Sequence, residues 1–117
     1  MALRPPSRYR DAMESIADRS DALGYEIAAE KASSLGRAGK SVGEALEALR
    51  QFEAENDADQ NRLGETERAM RSELLRRAAR ATHAYFIQRE LCGLRRHHDA
   101  IAQYRIPQSV LARLGAA

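Results

Sequence analysis

The chain has 117 residues, of which 31% are charged and 5% are aromatic, with a formal net charge of +2. This length allows one domain with one modest core, and no apolar run approaches the ~20 residues of a transmembrane helix. Ala, Leu, Glu and Arg are abundant while Gly and Pro are scarce, which is typical of helical proteins. We therefore predict one all-α domain over residues 1–117.

The small net charge conceals an uneven distribution. Residues 1–61 carry eight basic and twelve acidic side chains, a sum of −4, whereas residues 62–105 carry ten Arg and five acids, a sum of +5. Such asymmetry favours complementarity within the chain or between subunits, and a basic face for nucleic acid is the sharper alternative.

The compartment follows from the N-terminus and the cysteine count. The opening "MALRPPSRYR" lacks the apolar stretch of a secretory signal, and the single Cys92 excludes an intramolecular disulfide and an all-Cys zinc site. We expect a soluble cytoplasmic protein that needs no cofactor and no membrane.

Residues 1–7 are predicted to be a flexible arm, because Pro5 and Pro6 disfavour helix before them. A first helix is predicted from an N-cap at Ser7 to Leu35. Its apolar stripe recurs at 3–4–3–4 spacing: Met13, Ile16, Ser20, Leu23 and Ile27. Gly36 and Gly39 then predict a stop and a turn.

A second helix is predicted from Ser41, where "SVGE" forms a capping box with Glu44. Its apolar stripe is Val42, Leu46, Leu49 and Phe52. The polar residues 53–65 predict a frayed helix end and a connection.

A third helix is predicted from Glu65 or Thr66 to about Tyr104. Its ~38 residues would extend ~57 Å, although a compact chain of this size has a radius of gyration of only ~13 Å. It therefore bends near Gly93 or projects toward a partner chain. "IPQSVLARLG" predicts a short C-terminal helix with Pro107 at its first position and Gly115 at its end. The simplest assembly is an antiparallel three-helix arrangement plus this short helix.

The segment "HAYFIQREL" is the apolar centre of the third helix. Its apolar residues cover a wide arc, which predicts packing against more than one neighbour. We predict a homodimer interface formed by Tyr85, Phe86, Leu91, Leu94, His98 and Ile101. On this interpretation His98 packs and the adjacent His97 faces water.

The stretch "LRRHHDAIAQY" and the helix before it also contain residue types that bind metals or act as acids and bases. His83, Glu90 and His97 share one side of a straight helix, but each step of seven residues climbs ~10.5 Å, while zinc ligands lie within ~2–2.5 Å of the metal. Neighbours such as His98 and Asp99 point ~100° apart, so packing or solvated roles are favoured.

Two alternatives stay open for the histidines and the cysteine of the third predicted helix. One is a metal or catalytic site shared between subunits, because the sequence does not show whether His83, His97, His98 and Cys92 converge. The other is a reactive thiol, because Cys92 has Arg95 and Arg96 three and four residues on, which would stabilise a thiolate. For Cys92 a small half-buried apolar role is favoured.

The arginines of the third helix are candidates for phosphate contacts. The candidates are Arg76, Arg77, Arg80, Arg95 and Arg96. Acids interrupt them, and Glu73 is well spaced to pair with Arg76 and Arg77. A solvated face with internal ion pairs is therefore favoured over nucleic-acid binding.

The segments "GYEIAAEKASSLGRAGKSVGEALEALR" and "YRIPQSVLARLG" resemble a family of small bacterial all-helical proteins of unknown function. The resemblance implies a compact helical protein and brings no catalytic residue with it. The favoured function is a non-enzymatic interaction or structural module that dimerises through the third helix, with another protein as a possible partner. The alternatives are a weak nucleic-acid binder and an enzyme or metal binder with a shared site.

Overall fold

The computed structural model describes residues 7–56 and 62–115, and this part of the chain is helical without strands. The helices are α1 (Ser7–Glu55), α2 (Glu65–Leu91), α3 (His98–Tyr104) and α4 (Gln108–Leu111). The predicted all-α class is confirmed. The predicted arm before Ser7 and residues 57–61 of the predicted connection lie outside the described residues.

Helix α1 is a single helix of 49 residues, so the predicted stop and turn at Gly36 and Gly39 are wrong. A helix interior tolerates glycine at a cost of up to ~1 kcal/mol. A Cβ at Gly39 would lie 2.6 Å from the Tyr104 hydroxyl oxygen, whereas one at Gly36 would meet nothing within 4 Å. Gly39 therefore permits a close side-chain approach and does not end the helix. Ser41, the predicted N-cap, lies inside α1.

Helix α2 begins at Glu65 as predicted and returns antiparallel along α1. At one end, Arg71 Nη2 lies 3.4 Å from Glu53 Oε1. At the other end, Cys92 Sγ lies 3.8 Å from the carbonyl oxygen of Lys31. The 27 residues of α2 therefore cover only the C-terminal half of α1, from about Lys31 onward.

The core lies between this half of α1 and the shorter helices. Leu46, Leu49 and Leu75 are each at most 2% exposed, and alanines at 78 and 79 let the two long helices approach closely. The buried cluster comprises Val42, Ala45, Leu46, Leu49, Leu75, Ala78, Ala79, Tyr85, Ala100, Ile106 and Val110.

Of the two alternatives for the third predicted helix, the bend near Gly93 is observed, and this helix divides into α2 and α3. Gly93 has φ +86°, its N–H donates to Glu90 O at 3.0 Å, and the Leu94 N–H donates to Arg89 O at 2.9 Å. This pair of hydrogen bonds around a left-handed glycine is a Schellman cap, which satisfies the last carbonyl groups of α2.

The C-terminal helices are held to α1 by Arg50. Its Nη2 donates to the carbonyl oxygens of Tyr104 at 2.8 Å and Arg105 at 2.9 Å, where Arg105 ends α3 in the left-handed region. Cations at a helix C-terminus stabilise its unpaired carbonyls. Pro107 is the N-cap of α4, whereas it was predicted to be the first helical residue, so α4 begins one residue later than predicted. Gly115, beyond the end of α4, has φ +74°.

The molecule is elongated, with extents of 91 × 25 × 19 Å and a radius of gyration of 23.6 Å. The predicted antiparallel three-helix arrangement is therefore wrong within the confirmed all-α class, because the first two predicted helices are one helix. Without a turn at residues 36–39, the N-terminal half of α1 cannot fold back, and it extends beyond the C-terminal end of α2.

Substituting the two glycines separates helix propensity from packing. We expect Gly36→Ala to raise the free energy of unfolding by about 0.5–1 kcal/mol, because its added methyl group meets nothing within 4 Å. Gly39→Ala should lower it, because the methyl group collides with the Tyr104 hydroxyl. Denaturant unfolding at fixed protein concentration measures both. Gly39→Ala should be tolerated in a Tyr104→Phe background, and equal effects of the two single substitutions would contradict the packing role.

Thr82 is fully buried, and its hydroxyl has no hydrogen-bond partner among the described residues. A buried hydroxyl without a partner costs about 1–3 kcal/mol, so Thr82→Val should raise the midpoint of urea unfolding. Thr82→Ser, which keeps the hydroxyl and removes a packed methyl group, should lower it. A destabilised Thr82→Val variant would show that the hydroxyl contributes to the folded state.

Candidate interaction surface

The N-terminal half of α1 carries an uncovered apolar face. All residues from 11 to 33 are exposed, and the large apolar residues among them include Met13 at 51%, Ile16 at 55%, Leu23 at 58% and Ile27 at 45%. Together with Ser20 these four residues form what we call the α1 stripe. Contiguous exposed apolar surface of this kind marks interaction sites on proteins.

The α1 stripe continues the face of α1 that α2 covers. At 100° per residue, its mean direction lies within about 50° of that of the buried α1 residues Val42, Leu46, Leu49 and Phe52. The same side of one helix is therefore covered over its C-terminal half and uncovered over its N-terminal half. The sequence predicts this stripe, and the predicted three-helix arrangement would have covered it.

The spacing of the α1 stripe matches a coiled-coil seam. Its members alternate by three and four residues, as do the a and d positions of a heptad repeat. A helical segment of ~20 residues without packing is marginal in water, since most helix stability in proteins comes from burial of an amphipathic face. A helical partner on the stripe would supply that burial.

The predicted interface residues on the third helix are divided between core and surface. Tyr85 is buried, with its ring 5.5 Å from that of Tyr104 and nearly perpendicular to it. The pKa of Tyr104 is raised, mainly by burial and to a smaller extent by the neighbouring Tyr85 hydroxyl. Phe86 and Ile101 pack half-buried against the same core. These side chains are held by their own chain.

The other predicted interface residues are exposed near the turn between α2 and α3. Leu91 is 60% exposed and Leu94 is 42% exposed, while the His98 side chain is 70% exposed. An interface that includes them stays a prediction.

The two adjacent histidines differ sharply in exposure within the chain. The His97 side chain is only 17% exposed, and its ring stacks on Phe86 with centroids 4.2 Å apart, whereas His98 points outward. The predicted solvated His97 is therefore wrong, whereas packing of His98 at an interface stays a prediction. The physical reason is the cap at Gly93, since α3 starts afresh at His98 and the phase of the preceding helix is lost.

The same turn joins residues that a straight helix would hold apart. His97 Nε2 lies 3.0 Å from Glu90 Oε1, and Arg89 Nε donates to His97 Nδ1 at 3.3 Å. Because Nδ1 accepts, the ring hydrogen lies on Nε2 and is donated to the Glu90 carboxylate. Arg89 also donates to Arg96 O at 3.0 Å. These contacts stabilise the turn between α2 and α3. No local pattern in the sequence predicted the roles of Arg89 here or of Arg50 at the end of α3.

The candidate metal and acid–base residues are not brought into one site. His83 is exposed on α2, and the described residues contain no group of three or more His, Cys, Asp or Glu side chains placed to hold a metal. His98 Nε2 does reach Asp99 Oδ1 at 3.2 Å, but the two side chains are 70% and 87% exposed. Cys92 is half-buried against the backbone of α1.

The candidate phosphate-binding arginines lie on exposed surface. On α2, Arg76 Nη1 lies 3.0 Å from Glu73 Oε2 as predicted, and Arg80 Nη2 lies 3.6 Å from Glu73 Oε1. Arg77 is exposed on the same helix, and Arg95 and Arg96 are exposed in the turn that follows. The ion pairs of Glu73 agree with the favoured solvated face, and contacts of these arginines with nucleic acid stay an untested alternative.

Among the described residues, no helix combines the length and the apolar character needed to cross a membrane.

Comparison with known proteins supplies a family and no activity. No curated protein and no solved structure significantly matches the chain. One family model, described as "Family of unknown function (DUF6665)", matches residues 9–117. The match confirms the resemblance to an uncharacterised helical family. Because it spans nearly the whole chain, the protein belongs to this family of unknown function.

Proposed function

We propose that this protein is a non-enzymatic interaction module that self-associates through the α1 stripe. The observation that carries the proposal is the uncovered apolar face of α1, which has coiled-coil spacing and continues the face that packs on α2. The sequence predicted self-association through the third helix, whereas this proposal places the interface on the N-terminal half of α1.

The energetics favour a dimer of moderate affinity. The four large apolar residues of the stripe are each about half exposed, so covering the rest gains roughly 1 kcal/mol per side chain. A dimer covers eight such side chains, and this gain opposes an association cost of several kcal/mol.

The charges of the segment are compatible with self-pairing. Residues 11–30 carry six acids and one Arg. Four of these acids occupy the outer b and f heptad positions, where they do not face a partner helix: Asp11, Glu14, Asp18 and Asp21. The mutual repulsion of these four across a dimer is therefore small, whereas Glu26 lies at g beside the seam and Glu30 lies at d within it.

Substitution within the α1 stripe should dissociate the dimer. We expect the wild-type protein to sediment as a dimer at tens of micromolar and Leu23→Gln to raise the dimer dissociation constant by at least about tenfold, since each dimer loses two buried leucines. Tyr25→Gln is a matched control, because Tyr25 is 79% exposed on the opposite face of the same helix.

Leu91→Gln is a second control, matched in residue type and in exposure, 60% against 58% for Leu23. It should leave the dimer intact. Dissociation by Leu91→Gln but not by Leu23→Gln would place the interface on α2, and a strictly monomeric wild-type protein would overturn the proposal.

Dilution should unfold the N-terminal half of α1 before the core. When the dimer dissociates, about 20 residues lose the packing that supports their helix. Circular dichroism at 222 nm should therefore show a loss of helix with dilution that coincides with dissociation measured by sedimentation. Retention of full helicity in the monomer would show that this segment is helical without a partner.

A further inference from the structure

We infer that the second copy lies antiparallel on the α1 stripe, with Arg19 of each chain opposite Glu26 of the other. This inference rests on the proposed self-association and specifies its geometry. It follows from the position of α2, from the order of residues along the stripe and from the charges that flank it.

The position of α2 excludes a parallel pairing on this face. In a parallel dimer, the partner's α1 would continue past Lys31 along the side of α1 that carries Val42, Leu46 and Leu49. That side is already occupied by α2, whose end contacts Lys31 through Cys92. An antiparallel partner runs in the same direction as α2. In the register described below, only its residues 7–11 lie opposite residues 32–36, beside the end of α2.

Two antiparallel registers bring the seam positions of the stripe together. In the first, Ile16 faces Ile27 of the second copy and Ser20 faces Leu23. In the second, Met13 faces Leu23 and Ile16 faces Ser20. The first leaves Met13 opposite Glu30, and the second leaves Ile27 opposite position 9. Neither register covers every large apolar residue, so the flanking charges must decide between them.

The flanking positions favour the first register. One flank of the stripe contains Arg19 and Glu26, and in the first register these residues face each other twice by symmetry. In the second register Arg19 faces Arg19 of the other copy, which is repulsive. At the centre of the opposite flank, Ala17 faces Gly24, and their small size permits close approach of the two backbones. At the ends of that flank Arg10 faces Lys31, a like-charge contact at the edge of the overlap.

Arg19 has the donors for this contact. Its Nε donates to the Ser15 carbonyl within α1 at 3.3 Å, and a guanidinium group has further N–H donors in its terminal fork that match a carboxylate. The pairing therefore needs no rearrangement of the backbone.

The arrangement predicts a long particle with the two cores at opposite ends. Each chain extends 91 Å, and the overlap comprises the N-terminal ~30 residues of each α1, so the dimer would be roughly 140 Å long. A parallel dimer would remain close to the length of one chain, and small-angle scattering distinguishes the two.

A charge exchange tests the inference directly. Arg19→Glu and Glu26→Arg should each weaken the homodimer about tenfold or more at low salt, because each substitution replaces two attractive contacts with two repulsive ones. An equimolar mixture of the two variants should form a heterodimer of wild-type affinity, since every contact in the mixed pair is attractive. Native mass spectrometry and sedimentation would measure the mixture.

Asp21→Arg is the control, because it changes an acid to Arg in the same segment at an outer position, and it should leave the affinity unchanged. A parallel dimer gives a different result. Arg19 would face Gly24, so Arg19→Glu would have little effect, and the mixture would not recover because the arginine introduced by Glu26→Arg would face Lys31 of the other chain. That outcome overturns the antiparallel geometry and leaves self-association standing. A monomeric wild-type protein overturns both.

Discussion

The rest of the structure depends on the continuity of α1 through residues 36–39. A helix of 49 residues packs on one of 27 residues, so one helix must extend beyond the other. Gly39 is central to this geometry, because its missing side chain admits the hydroxyl of Tyr104 and the ring of Tyr85 beside an unbroken helix. Close packing at one end of α1 and an uncovered face at the other are therefore two consequences of the same helix.

The shorter helices complete the core by returning the chain to α1. The left-handed Gly93 ends α2, the Arg89–His97 contact fastens the turn, and Arg50 binds the last carbonyls of α3. Each of these contacts satisfies backbone or ring atoms that a helix end would otherwise leave without partners. His97, one of the histidines that stand out in the sequence, thus holds this turn in place.

Local signals predicted the elements better than their connections. Composition predicted the all-α class, Glu65 was correctly placed at the start of α2, and the scarcity of breakers between Glu65 and Tyr104 focused attention on Gly93, where the chain does bend. The predicted stop and turn at Gly36 and Gly39 were wrong because a glycine within a helix and a glycine after a helix look alike in sequence. Only the tyrosines packed against Gly39, which come from distant parts of the chain, distinguish the two cases.

The sequence by itself determined which faces of the helices are apolar, because helical periodicity is a local property of the chain. It located the stripe from Met13 to Ile27 and the core stripe from Val42 to Phe52. Only the tertiary structure decided that α2 covers the second stripe and leaves the first exposed, because coverage depends on where the chain turns and how far each helix reaches. The tertiary structure likewise decided which of His97 and His98 is buried within the chain, because a helix end changes the direction in which the later side chains point.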